Sequence, residues 1–287
     1  MSTETRTIAL ADGRVAGYVD YGPPRGTPVI WCHGGPGSRL EPAAFAGPAS
    51  EAGFRVIGVD RPGYGKSTPK PGRNIADWVP DVLAVADAVD APRFIAVGVS
   101  TGGGYSLALA ARTPARVIGV VACCALTDMR WGEGKAMMSA PMTSGIWSAA
   151  DRDAALALAA DVMGADGSKM LNQAGEGAPM PPADLALMQD PTFMSGMLSA
   201  LPEMFAFSVQ GYVDDRLADG VGWGSFDLSN IRCPVTVLHG EADSIVPVAH
   251  ARHTAALIRG ATLRIVPELG HFSIIAHVLP ALQDLPK

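Results

Sequence analysis

Short apolar runs recur near both ends of the chain and fade through its middle. Residues 27–32, 55–59, 94–97, 117–126, 234–238 and 263–266 are rich in Val, Ile and Leu, with little polar alternation. That pattern suits strands buried on both faces, as in the interior of a parallel sheet. Between these runs, apolar residues return at helical spacing. Val79, Val82, Leu83, Ala86 and Val89 predict a helix over 77–91 with Asp77 as N-cap. Residues 105–111 and 248–259 read the same way, Thr113-Pro114 ending the first of them. Residues 5–22 look like an N-terminal hairpin turning at Ala11-Asp12-Gly13-Arg14. Alternating strands and helices predict an α/β class, a mostly parallel twisted sheet flanked by helices.

The middle breaks this alternation. Between residues 126 and 234 lies a stretch of roughly a hundred residues without a clear strand, too long for an ordinary loop. It contains helical runs such as 154–162. The expected organisation is a core of residues 1–126 and 231–287 with a helical cap at 127–230. A chain of 287 residues with 48% hydrophobic positions has ample material for one core. The net charge of −6 is spread along the chain with no basic cluster, which argues against nucleic acid or an anionic membrane as partner. Residues 1–6 lack an apolar signal region, and the run 117–126, broken by Gly119, is too short to span a bilayer. A cytoplasmic location is expected. Cys32, Cys123 and Cys233 fall in or beside strands, and Cys124 should face opposite to Cys123. With no C-x-x-C spacing, buried free thiols are expected rather than metal ligands.

One short run concentrates the chemistry. Gly98-Val99-Ser100-Thr101-Gly102 joins the strand at 94–97 to the helix at 105–111. A serine at such a tip sits in a strained conformation that brings the positions two before and two after it together, so both favour glycine. Gly98 and Gly102 meet that demand. Downstream, the strand at 234–238 leads to Gly240-Glu241-Ala242-Asp243, and the strand at 263–266 leads to a turn bearing His271. Upstream, the strand at 27–32 runs into His33-Gly34-Gly35-Pro36-Gly37-Ser38. Gly65-Lys66-Ser67 looks like the end of a phosphate-binding loop, but Asp60 stands where that loop needs glycine. A carboxylate there would repel phosphate, so nucleotide binding is not expected.

The order Ser, Asp, His, each after a strand and preceded by a glycine-rich loop, resembles the α/β-hydrolase family over nearly the whole chain. The resemblance implies the α/β-hydrolase fold, with Ser100 as nucleophile, His271 as general base and Asp243 as the acid that orients it. It also implies an oxyanion hole made of the Gly35 and Thr101 backbone N–H groups. Asp128, which ends the sixth strand in Leu126-Thr127-Asp128, is an acid position in some relatives, but Asp243 followed by Ile245-Val246-Pro247 matches the usual pattern better. His33 and His239 then stabilise turns, and His250, His253 and His277 are surface or packing residues. The 127–230 segment resembles the helical lid of many members. Eleven of the twelve methionines lie between Met129 and Met204, alongside Trp131, Trp147, Phe193, Phe205 and Phe207. They fit a lid core or an apolar pocket.

What the resemblance implies is a carboxylesterase that cleaves esters of small to medium apolar substrates through an acyl-enzyme, without metal or organic cofactor. The His-Gly-Gly-Pro-Gly string is also similar to proline iminopeptidases, which usually carry tryptophan where this chain has Thr101. Such an enzyme must hold a substrate ammonium, and Glu133, Glu176 and Glu203 are the lid glutamates available. Carbon–carbon bond hydrolases share the triad, and ligand receptors of this fold can retain it. The expected partner is a small apolar ester, and a homodimer stays open.

Overall fold

In the computed structural model, which describes residues 4–138, 141–170 and 179–286, the apolar runs become strands of one sheet. The hairpin β1 (Thr5–Ala9) and β2 (Val15–Asp20) precedes β3 (Thr27–Cys32), β4 (Phe54–Val59), β5 (Phe94–Val99) and β6 (Val117–Cys123). After them come β7 (Ala206–Val209), β8 (Val235–Gly240) and β9 (Thr262–Val266). The order across the eight-stranded sheet is β1-β2-β4-β3-β5-β6-β8-β9. β2 runs antiparallel to β1 and β4, and every pairing from β4 to β9 is parallel. The carboxyl ends of β3, β5, β6, β8 and β9 therefore share one edge, where ligands bind in open α/β sheets.

Helices α1 (Ala43–Glu51), α2 (Val79–Ala88) and α3 (Gly102–Arg112) connect the first strands. Between β6 and β8 lie α4 (Gly132–Met137), α5 (Pro141–Trp147), α6 (Arg152–Met163), α7 (Pro182–Gln189), α8 (Pro191–Met204) and α9 (Gln210–Gly220). The chain closes with α10 (Ala249–Leu257) and α11 (Val278–Gln283). Alternate residues of one strand enter different cores, as the two-residue period of a strand requires. Ile30, Cys32, Phe94 and Ala96 pack with α2, α3 and α10. Val29, Trp31, Ile95 and Val97 pack with α1 and α11 on the other face. The segment between β6 and β8 has a core of its own, built on Ile146, Ala155, Ala159, Met163, Phe205 and Val213. Met163 is central to it and Met170 and Met204 border it, so these three methionines are packing residues. Among the described residues, no helix is long and apolar enough to cross a membrane.

Three local features differ from the sequence reading. Asn74, not Asp77, is the N-cap: its side chain accepts from the Asp77 N–H at 3.1 Å, and the Asp77 carboxylate accepts from the Asn74 N–H at 2.8 Å. This reciprocal box caps a short 3-10 turn, Ile75–Trp78, that leads into α2. Apolar spacing located the helix body but could not choose between two capping side chains three residues apart. β6 stops at Cys123, and Cys124 leaves it at φ 42°, so the two thiols do not alternate across a strand. Asp128 accordingly lies in the following loop rather than at a strand end. The four-residue β7 interrupts an otherwise helical segment and stands outside the main sheet.

Candidate active site

Ser100 heads the turn between β5 and α3 with φ 52°, the left-handed region that side chains normally avoid. The flanking glycines are required by contact. A Cβ on Gly98 would overlap the Gly102 carbonyl and Ser106 Oγ, and a Cβ on Gly102 would overlap the carbonyls of Cys32 and His33. Ser100 is partly exposed, whereas Thr101 beside it is buried.

The turns after β8 and β9 bring Asp243 and His271 together. His271 Nδ1 lies 2.8 Å from Asp243 Oδ2. The other carboxylate oxygen accepts the N–H groups of Ile245 and Val246 at 2.9 and 2.8 Å, which fixes its plane. His239 Nε2 lies 2.8 Å from the Val246 carbonyl, an acceptor only, so that nitrogen carries a proton. The same nitrogen stands 3.3 Å from Asp243 Oδ2. Burial alone would raise the Asp243 carboxyl, but His271 and His239 outweigh it and hold the group well below the usual carboxylate range. Burial would likewise depress His271. Asp243 and the hydrogen-bonded Cys124 thiol outweigh that and push the imidazole well above its ordinary value. Asp128 takes no part: it pairs with Arg130 and accepts the Trp223 N–H at 3.1 Å.

The glycine-rich loop after β3 stands against the elbow. A Cβ on Gly34 would lie 3.8 Å from Ser100 Cβ, and one on Gly35 would lie 2.7 Å from Thr101 Oγ1. The Gly34 N–H donates to Glu41 Oε2 at 2.8 Å, while Glu41 Oε1 accepts from Trp31 Nε1 at 2.8 Å. Among the described residues, the Gly35 and Thr101 N–H groups meet no acceptor. His33 Nε2 accepts the Arg61 N–H at 3.1 Å, which leaves Nδ1 protonated and donating to the Gly34 carbonyl at 2.7 Å. Burial, reinforced by nearby Arg61, holds His33 well below its ordinary value and therefore neutral.

Arg61 braces the loop from beneath, donating to the His33 carbonyl and, at 2.7 Å, to the Gly34 carbonyl. It is held in turn by Asp215 of α9 at 2.8 Å. Asp215 also accepts from Arg73 at 2.7 Å and from the hydroxyls of Tyr64 and Tyr105, both at 2.8 Å. Burial would raise this carboxyl, but Arg61 and Arg73 hold it well below the usual range.

A family profile described as alpha/beta hydrolase fold matches residues 27–278. The chain belongs to that family. This α/β hydrolase is 29% identical to a non-heme chloroperoxidase of Streptomyces lividans, over 94% of each chain. It is 28% identical to a 2-hydroxymuconate semialdehyde hydrolase of Pseudomonas putida, over 96% of its own length and 91% of the relative's. Among solved structures, a Rhodococcus esterase superposes with a TM-score of 0.69 at 24% identity, covering 98% of this chain and 99% of that one. An enol-lactonase of Burkholderia xenovorans gives the same TM-score at 20% identity, over 97% and 96%.

Several residues around the site escaped the sequence reading. Cys124, Glu41 and Arg61 reach it through turns that hydrophobic periodicity does not describe. Arg216, donating to Thr101 Oγ1 and paired with Asp219, reaches it from α9. The three glutamates of the inserted segment differ in setting. Glu133 is exposed, Glu176 lies outside the described residues, and Glu203 pairs with Arg39 at 2.8 Å and Lys66 at 3.7 Å. His250 and His253 pack as expected: His250 is buried against the Gly134 carbonyl, and His253 stacks on Trp131 at 4.3 Å between ring centroids.

Proposed function

We propose that this hydrolase is a serine carboxylesterase. Ser100 Oγ attacks the ester carbonyl carbon while His271 Nε2 takes its proton, and Asp243 holds the imidazole in the tautomer that leaves Nε2 free. The N–H groups of Gly35 and Thr101 receive the oxyanion, each donor contributing about 3–4 kcal/mol to the transition state. His271 then protonates the departing alcohol, and water activated by the same nitrogen releases the acid and regenerates Ser100. The observation that carries this reading is the 2.8 Å Asp243–His271 contact at the same sheet edge as a serine at φ 52°. Helices α4–α9 serve as the cap. Leu126, Met129, Met138 and Val246 pack with Trp147 where the cap meets the Asp243 turn. Glu203, already committed to Arg39 and Lys66, does not supply the ammonium site that a proline iminopeptidase needs.

A second reading rests on the near full-length likeness to the 2-hydroxymuconate semialdehyde hydrolase: the same groups could cleave a carbon–carbon bond beside a ketone. Steady-state rates on p-nitrophenyl acetate and butyrate, a prolyl anilide and 2-hydroxymuconate semialdehyde separate the choices. The expected outcome is fastest turnover of the esters, lost by about 10⁴-fold or more in a folded Ser100→Ala variant. Slow ester turnover beside rapid semialdehyde or anilide cleavage overturns the esterase assignment.

A further inference from the structure

Asp184 is a buried carboxylate on cap helix α7, only 1% exposed, and its partners are not in the cap. Its Oδ1 accepts from the Ser273 N–H at 2.9 Å and from Ser273 Oγ at 2.6 Å, and its Oδ2 accepts from the Phe272 N–H at 3.2 Å. Ser273 Oγ in turn accepts the Gly270 N–H at 2.8 Å. These bonds enclose His271 on both sides in sequence. Gly270 completes the fit, since a Cβ there would overlap the Asp184 carboxylate and Pro181. The neighbouring cap helix adds an aromatic contact: Phe193 of α8 meets Phe272 edge-on at 6.2 Å between centroids, and Phe272 meets His271 edge-on at 5.5 Å.

A buried carboxylate is costly unless its oxygens find donors, and here the donors come from the turn that bears His271. Seating α7 and ordering that turn therefore favour one another. We propose that Asp184 is a positioning residue that couples the seating of the cap to the aim of His271. The proposal rests on the reading of His271 as base. With α7 seated, the 270–273 turn is pinned and the imidazole is held between Asp243 and the site of attack. With α7 displaced, three donors lose their acceptor and the turn relaxes. A misplacement of about 1 Å at a catalytic group costs about 100-fold in rate.

The experiment compares wild type, Asp184→Ala, Asp184→Asn and Ser273→Ala by Ser100 labelling with a fluorophosphonate, by p-nitrophenyl acetate kinetics, and by the low-field proton resonance of the His271 Nδ1–H. The expected result for Asp184→Ala is a fall of about 10- to 100-fold in kcat and labelling rate, with KM within about twofold, and a broadened or lost resonance. Asp184→Asn keeps one acceptor oxygen for Ser273 and should recover part of the loss. Ser273→Ala should lose less than Asp184→Ala and add little to it in the double variant. Wild-type labelling and kcat in a folded Asp184→Ala protein overturn the coupling, as does a rate loss with the resonance unchanged. Should Asp184→Ala fail to fold, Asp184→Asn and Ser273→Ala decide by the same criteria. A wild-type protein that the fluorophosphonate does not label overturns the base assignment itself, and the coupling with it.

Discussion

Asp243 spends both its oxygens: one on two backbone N–H groups, the other on two imidazoles. Such a carboxylate stays ionised, and its charge makes the His271 imidazolium hard to deprotonate. A general base must be neutral, so raising its pKa moves activity toward higher pH. The acid limb of kcat/KM should have its midpoint above the ordinary imidazole value of about 6.5, with turnover rising from pH 6 toward pH 8. Asp243→Asn should bring that midpoint down and lower kcat by about 10³–10⁴-fold. A pH–rate profile of the two proteins on one ester checks both statements, and an unmoved midpoint would count against His271 as base. Ser100, Asp243 and His271 were legible because each follows an apolar strand, a local signature. Cys124 and Asp184 were not, because what each touches is set by how distant turns meet.

At the scale of elements, the elbow is a tight joint between strand and helix. A methyl group at position 98 would press on the Gly102 carbonyl and Ser106 Oγ, so the strand and helix would have to separate. Gly98→Ala should cost about 3 kcal/mol, measured by urea denaturation, and slow labelling of Ser100 by a fluorophosphonate. The glycine spacing announced this joint because close backbone approach permits no other residue. Other boundaries were less visible. The end of β6 and the start of α2 are decided by a left-handed turn at Cys124 and by the exchange of bonds between Asn74 and Asp77. Neither changes the periodicity of the apolar positions around it.

At the scale of the whole molecule, Asp215 is one of the joints: there α9 from the inserted segment meets Arg61, Arg73, Tyr64 and Tyr105 from the sheet half. Asp215→Ala would leave two buried guanidinium groups without their shared anion, a loss expected at about 3–5 kcal/mol in urea denaturation. A change below about 1 kcal/mol would mean that the hub is not held by its charges. The sheet and the inserted helices could be read separately, since each has its own pattern. Their junction could not, because a buried ion cluster drawn from residues 61 to 215 leaves no periodic trace. It also limits how this protein can be rebuilt. The inserted segment is not a single exchangeable cassette, because α9 supplies the counter-charge for the arginine that holds the His33 and Gly34 carbonyls. Removing 127–230 entire would strand that arginine and slacken the loop beside Ser100. The workable splice lies ahead of Gln210, leaving α9 with the sheet as its permanent fitting and α4–α8 open to change wherever the Asp184 and Phe193 contacts to the His271 turn are kept.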